Sequence, residues 1–159
     1  MFGNTEKYQL NKLQVGFTFS YKKQTWLIKE VAEYHWKTGE ISTEYTIENN
    51  GKTAYLEVEF YQGDYEVYYS EVIYIDDTFL IDAIENNTIM YLGKEFELEE
   101  TYQGSYKSLT NKSSRERLTS YLFYNKENMV TIEAWDDETF EVFYGEEIKK
   151  KKIKNIKNS

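Results

Sequence analysis

Two segments of the sequence repeat one alternating pattern at a constant offset of 75 residues. Residues 65–71 read Tyr-Glu-Val-Tyr-Tyr-Ser-Glu and residues 140–146 read Phe-Glu-Val-Phe-Tyr-Gly-Glu, so every position is identical or similar. A short polar turn precedes each run, at residues 62–64 and 136–138 respectively, and another alternating run precedes each turn. Two alternating runs joined by a short turn are typical of a β-hairpin. The sequence therefore predicts a duplicated hairpin.

The similarity extends upstream of both hairpins, and this sets the predicted domain organisation. The two units are residues 12–75 and 89–156, joined by a connector at residues 76–88. A repeat of this length is a whole supersecondary unit and is too long for a solenoid repeat. We predict an all-β fold in which two related antiparallel β-meander units, each a small barrel or sandwich, pack about a pseudo-two-fold axis.

Alternation along the strands predicts which side chains form the core. Leu56, Val58 and Phe60 fall on one face of their strand, whereas Glu57 and Glu59 fall on the opposite face. Because successive side chains of a strand point to opposite faces, we expect the apolar set to point inward and the two glutamates to point outward. The same pattern in the other strands adds four predicted core residues: Trp26, Val67, Ile132 and Val142.

Two segments have ambiguous patterns. Residues 77–87 fit a short helix, with Thr78 as its cap and Phe79 and Ala83 on one face, or an extended crossover; a short helix or turn is favoured. Residues 147–156 resemble a basic tail, but the two isoleucines among them favour a final strand, since lysine protects an exposed sheet edge.

The charge distribution limits the class of partner. The net charge is −9, and six lysines lie within residues 149–157, so the rest of the chain has 28 acidic and 13 basic residues, a net charge of −15. Such a body repels phosphate, and we expect no nucleic-acid partner and no membrane insertion. A basic partner or a cationic ligand is favoured. Residues 1–12 lack a signal-peptide core, which predicts a cytoplasmic protein.

The sequence offers few groups for metal binding or catalysis. It has no cysteine and one histidine, His35, and its glycines are isolated from one another. Thiolate and histidine-rich metal sites, phosphate loops and serine-elbow motifs are therefore unsupported. We predict no metal, no cofactor and no catalytic residue. The enzyme alternative is a carboxylate-dependent hydrolase that uses Asp136, Asp137 or Glu133, since paired carboxylates can perform acid–base catalysis.

Aromatic residues beside acidic ones form the candidate binding site. The sixteen tyrosines and three tryptophans exceed what one core can hold, so some are expected at the surface. Tyrosine and tryptophan are enriched at binding hot spots. The candidate binding residues are Trp36, Trp135, Asp136, Asp137, Tyr69 and Tyr144.

This pattern favours a non-catalytic binding or scaffolding module that recognises a protein partner through aromatics on an acidic surface, and the charge favours a basic partner. The alternative is a small-molecule or carbohydrate-binding protein, which would place Trp36 or Trp135 in a concave pocket. Self-association through the lysine-edged C-terminal strand is a third possibility.

The strand signatures resemble those of a known family. They comprise a strand containing Trp26 and the segments at residues 44–47, 55–59, 132–137 and 141–145. Together they resemble the bacterial family of unknown function numbered 4178, over about residues 12–156. The resemblance implies a bacterial cytoplasmic protein that works beside membrane-stress or envelope-associated proteins. It transfers no catalytic residue to this chain.

Overall fold

The computed structural model describes residues 8–158, and strands dominate this part of the chain. The predicted all-β class is confirmed. The elements are β1 (Phe17–Tyr21), β2 (Gln24–Trp36), β3 (Ile41–Asn49), β4 (Lys52–Tyr61), β5 (Asp64–Ile73), α1 (Asp77–Asn86), β6 (Thr88–Tyr91), β7 (Lys94–Ser108), β8 (Glu116–Asn125), β9 (Asn128–Trp135), β10 (Phe140–Ile148) and β11 (Lys154–Asn158).

Eight of these strands close into a barrel. Their order around the ring is β2-β3-β4-β5-β10-β9-β8-β7, and β7 pairs with β2 to complete it. Every pairing is antiparallel, and β1, β11 and β6 extend the sheet outside the ring. Each predicted unit therefore contributes four strands to one shared barrel. Exchanging β1–β5 with β6–β10 leaves the order of these strands in the sheet unchanged. The pseudo-two-fold axis that would relate the two units stays a prediction.

Two hydrophobic cores lie against the face of the barrel wall that points away from its interior. The first packs side chains of β2–β5 against β1, β11 and the 3-10 turn Leu10–Lys12. The second packs side chains of β8–β10 against α1 and β6. The predicted core residues that are buried in these two clusters are Trp26, Leu56, Val58, Val67, Ile132 and Val142.

The burial predicted for Phe60 is wrong. Its side chain is 46% exposed, because Phe60 lies next to the last residue of β4, at the end of the sheet. Its ring packs on Tyr65, the facing residue of β5, at a centroid distance of 4.9 Å. Alternation assigned Phe60 to the correct face, but burial also depends on which part of that face is covered.

The connector contains the favoured helix, α1, which begins at Asp77 and ends at Asn86. Leu80 and Ala83 face the second core, whereas Phe79 is 63% exposed. The proposed cap, Thr78, is wrong, because Asp76 occupies the N-cap position. Within residues 8–158, no helix has the length and apolarity needed to cross a membrane.

The C-terminal strand is present as predicted. A 3-10 turn at Lys150–Lys152 separates it from β10, and β11 then pairs with β1. Ile153 and Ile156 are both buried in the first core. These two side chains explain why a lysine-rich segment is held on the sheet.

At both seams where the two units meet, a glycine allows the facing strand to approach closely. At the β2–β7 seam, a Cβ atom on Gly104 would lie 2.6 Å from the His35 carbonyl oxygen and 2.7 Å from the Trp36 ring. At the β5–β10 seam, a Cβ atom on Gly145 would lie 2.2 Å from the Tyr69 carbonyl oxygen. Glycine within a strand often marks such an approach or a tight bend of a barrel.

Candidate functional site

The interior of the barrel is polar and holds two cavities at opposite ends. Cavity one, of about 580 Å³, opens where the β3–β4 and β9–β10 turns lie. Cavity two, of about 560 Å³, opens where the β2–β3, β4–β5 and β8–β9 turns lie. Glu57 and Glu59 line cavity two, so the expectation that they point away from the interior is wrong. The apolar side chains that alternate with them face the outer cores.

Cavity two is lined by many acidic side chains and by no described basic one. Nine glutamates line it, and no lysine, arginine or histidine is among the described residues of its wall. The glutamates are Glu40, Glu44, Glu57, Glu59, Glu66, Glu99, Glu100, Glu133 and Glu147. The ion pairs between described residues involve other acids, namely Glu33, Asp64, Glu71 and Glu146. Carboxylates that are removed from water without a counter-ion are costly, which favours a positively charged occupant.

A cluster of three buried side chains, called the waist here, lies where the two cavities meet. It consists of Tyr34 on β2, Glu44 on β3 and Glu133 on β9. The Tyr34 hydroxyl donates to Glu133 Oε2 at 2.7 Å and lies 3.2 Å from Glu44 Oε2. Glu44 and Glu133 line both cavities. A ligand in either cavity can therefore reach the two carboxyl groups.

The waist retains a proton. One phenol hydrogen serves one carboxylate, so a hydrogen bond between Tyr34 and the second carboxyl group requires a proton on that group. Burial, reinforced by the nearby Glu133 and Glu57, raises the pKa of Glu44 well above its ordinary value. Burial raises the pKa of Glu133 to about 8 and that of Glu57 to about 7. Both carboxyl groups of the waist are therefore protonated more readily than an exposed glutamate.

A continuous row of aromatic rings runs along the β2–β7 seam from one cavity to the other. Trp36 stacks on Tyr34, with ring centroids 5.0 Å apart and planes 3° apart, and Tyr102 lies 5.9 Å from Trp36. On the other side Tyr106 contacts both Tyr34 and Trp135, at 5.1 and 5.6 Å. Gly104 leaves the space for Trp36, whose Nε1 donates to Ser42 Oγ at 2.9 Å. Stacking and this hydrogen bond hold the indole in one orientation.

The sequence-predicted candidates are spread over both cavities, both hydrophobic cores and one exposed turn. Trp36 lines cavity two and Trp135 lines cavity one, where its Nε1 donates to Glu141 Oε1 at 3.2 Å. Tyr69 also lines cavity two, and its ring packs against Tyr21 and Trp26 on the first core. Tyr144 packs in the second core.

Asp136 and Asp137 lie in the exposed β9–β10 turn, outside the residues that line either cavity. Asp137 accepts hydrogen bonds from the Thr139 backbone and hydroxyl, which lower its pKa. This is the environment of a turn-stabilising carboxylate. His35, on the strand face opposite to Trp36, contacts Glu33 Oε1 at 3.0 Å.

One comparison with known proteins gives a family. The family model DUF4178, described as a domain of unknown function, matches residues 14–150. The chain belongs to this family. The match to DUF4178 covers all eight strands of the barrel and ends before β11. No curated protein and no solved structure is significantly similar to the chain.

Sequence reasoning missed Tyr34 and Glu44 as members of the site in this DUF4178 domain. The sequence signal that could have revealed the site is the number of predicted strands that carry glutamate on their polar face, including Glu44, Glu57 and Glu133. Nothing in one strand shows whether that face meets water or another strand. Across residues 8–158, no three acidic or histidine side chains are grouped closely enough to hold a metal ion.

Proposed function

We propose that this DUF4178 protein is a non-catalytic binding protein that takes a small organic cation into cavity two. The observation that carries this proposal is the lining of the cavity, nine glutamates without a basic side chain among its described residues. The volume of about 560 Å³ lies within the range of ligand pockets. An eight-stranded barrel has an interior of a size that suits one small ligand.

The aromatic wall supports an organic cation in particular. Trp36 and Tyr102 line the cavity beside the carboxylates. An ammonium group is attracted electrostatically to the faces of such rings, most strongly to tryptophan. The remaining apolar surface of an organic cation gains from burial against the rings. A bare metal ion gains neither contact, and the spread of the carboxylates does not provide a compact set of ligands.

The test is calorimetric titration of the full-length protein at pH 8 with n-butylamine and, separately, with tetramethylammonium. We expect saturable one-to-one binding of at least one of them. The Glu133→Gln substitution should weaken this binding about tenfold, because glutamine keeps the shape of the side chain and removes its charge. The matched Glu85→Gln variant changes an exposed residue of α1 and should bind as the parent does.

The same titration tests other ligand classes. Methyl glucoside tests the carbohydrate alternative, and Ca²⁺ tests a simple counter-ion. A lysine-containing peptide tests the hypothesis of a basic protein partner, which stays a prediction. Failure of both ammonium compounds to bind, or tighter binding of the sugar or the peptide, would reject the proposal.

A second candidate function rests on the waist. Glu44 and Glu133 both lie within hydrogen-bonding reach of one phenol, and their pKa values are raised. Pairs of carboxyl groups in different protonation states are the usual acid and base of hydrolases. This observation favours Glu133 over Asp136 and Asp137 among the residues of the hydrolase alternative. Turnover of a panel of chromogenic glycosides and esters, lost in Glu133→Gln, would support it.

A further inference from the structure

Seven of the nine glutamates of cavity two fall into two groups, and Glu99 and Glu100 line the cavity from β7. The inner group is Glu44, Glu57 and Glu133, which interact with one another next to the waist. The outer group is Glu40, Glu59, Glu66 and Glu147, near the mouth. In it the Glu59 and Glu40 carboxyl groups share a hydrogen bond, and Glu66 interacts with both Glu59 and Glu147. Glu59 also interacts with Glu57 of the inner group, so the two groups adjoin. One ammonium group cannot neutralise both groups.

The spacing of the two groups follows from one strand. Glu57 belongs to the inner group and Glu59 to the outer group, and both project from β4 into the cavity. Two residues of a strand span about 6.6 Å. A chain of about four methylene groups separates two ammonium nitrogens by a similar length, because each carbon–carbon bond is about 1.5 Å long.

Aromatic side chains bridge the gap between the two groups. Tyr68 faces Glu57 across the β4–β5 pairing, and its hydroxyl donates to Glu66 Oε2 at 2.9 Å. Tyr102 pairs with Ser120, which pairs with Glu133 of the inner group. The Tyr102 hydroxyl donates to Glu100 and interacts with Glu40 and Glu59 of the outer group. Each ring therefore spans from the inner to the outer carboxylates. A methylene chain between two ammonium groups would lie against these rings.

We infer that the ligand of cavity two is a linear diamine or polyamine, with one ammonium group at the inner glutamates and the next at the outer glutamates. This inference rests on the proposed function and names its ligand class. The methylene chain packs against Tyr68 and Tyr102. The inner ammonium group lies close enough to the waist to interact with Glu44 and Glu133.

The test compares amines of equal chain length and different charge. Full-length protein at pH 8 is titrated with n-butylamine, 1,4-diaminobutane and Mg²⁺. We expect 1,4-diaminobutane to bind at least about tenfold more tightly than n-butylamine, because the second ammonium group binds at a high effective concentration. Mg²⁺ should neither bind comparably nor displace the diamine. A length series from 1,3-diaminopropane to 1,8-diaminooctane should show an optimum near four or five methylene groups.

Variants separate the two groups of carboxylates. Glu59→Gln should weaken 1,4-diaminobutane more than n-butylamine, which lowers the ratio of their affinities, whereas Glu85→Gln should leave that ratio unchanged. Thermal denaturation of each variant checks that it is folded. Equal affinity for the two amines would overturn this inference and leave the proposed function standing. Absence of binding by every amine would overturn both the inference and the proposed function. If Mg²⁺ competes equally, the diamine binds only as a counter-ion, and this inference is overturned.

Discussion

Tyr34 and Glu133, which lie 99 residues apart in the sequence, are joined by a 2.7 Å hydrogen bond inside the barrel. Tyr34 belongs to β2 and Glu133 to β9, so the bond connects the two sequence units. Glu44 lies 3.2 Å from the same hydroxyl. This contact places two acidic groups of distant origin at one point, and most of the electrostatic behaviour expected of the protein follows from it.

Stability should decrease as the pH rises from about 5 to about 8. The folded-state pKa is about 7 for Glu57 and about 8 for Glu133, against an ordinary value of 4.5. Between these values the folded state binds more protons than the unfolded state, so the free energy of unfolding falls with increasing pH. Urea denaturation at several pH values measures this free energy of unfolding. The profile of Glu133→Gln should be flatter, with a gain on the order of 1–3 kcal/mol at pH 8, whereas Glu85→Gln should follow the parent. A rise in stability over this interval would contradict the assignment of buried protons.

Replacement of Tyr34 by phenylalanine should destabilise the protein by about 1–3 kcal/mol, since two buried carboxyl groups then lose their hydrogen-bond partner. Chemical denaturation at pH 8 provides the measurement. Tyr74→Phe is the matched control, because Tyr74 is 93% exposed, and it should change the free energy of unfolding by less than about 0.5 kcal/mol. If the two variants are equally stable, the waist does not contribute to folding as described.

Replacement of Gly104 by alanine should cost about 1–3 kcal/mol and move the Trp36 indole. The added methyl group would lie 2.7 Å from the Trp36 ring and 2.6 Å from a backbone oxygen, which can shift less easily. Tryptophan fluorescence and thermal denaturation report the two effects. The control is Gly51→Asn in the β3–β4 turn, where φ is +81° and nothing lies within 4 Å of the added Cβ. Asparagine tolerates that conformation, so an unchanged spectrum is expected there.

Truncation of Ile153 or Ile156 to alanine should each destabilise the protein by about 2–4 kcal/mol, the usual cost of removing a buried isoleucine side chain. Both are buried in the first core, next to exposed lysines of the C-terminal segment. Ile81→Ala on α1 is the matched control, because Ile81 is 46% exposed, and it should cost under about 1 kcal/mol. Stability unaffected by the two core changes would mean that β11 is dispensable for the fold.

Much of the fold was predictable because it depends on local pattern. Alternation identified Leu56, Val58, Val67 and Ile132 as core residues, since a strand shows its two faces within a few residues. The helix in the connector also followed from local spacing. Phe60 was misplaced because a residue on the apolar face is buried only where another element covers it, and that covering is set by distant parts of the chain.

The site depended on pairings that local pattern does not contain. The sequence by itself determined that Glu57 and Glu59 share the face opposite to Leu56, but not whether that face meets solvent. Closure of the barrel through the β2–β7 and β5–β10 seams decided it, because these pairings join residues far apart in the chain. Tyr34 and Glu44 are neighbours on the β2–β3 hairpin, and the closed ring brings Glu133 to them. Closure withdraws both carboxyl groups from water and raises their pKa values. The same glutamates on an open sheet would be solvated surface charges.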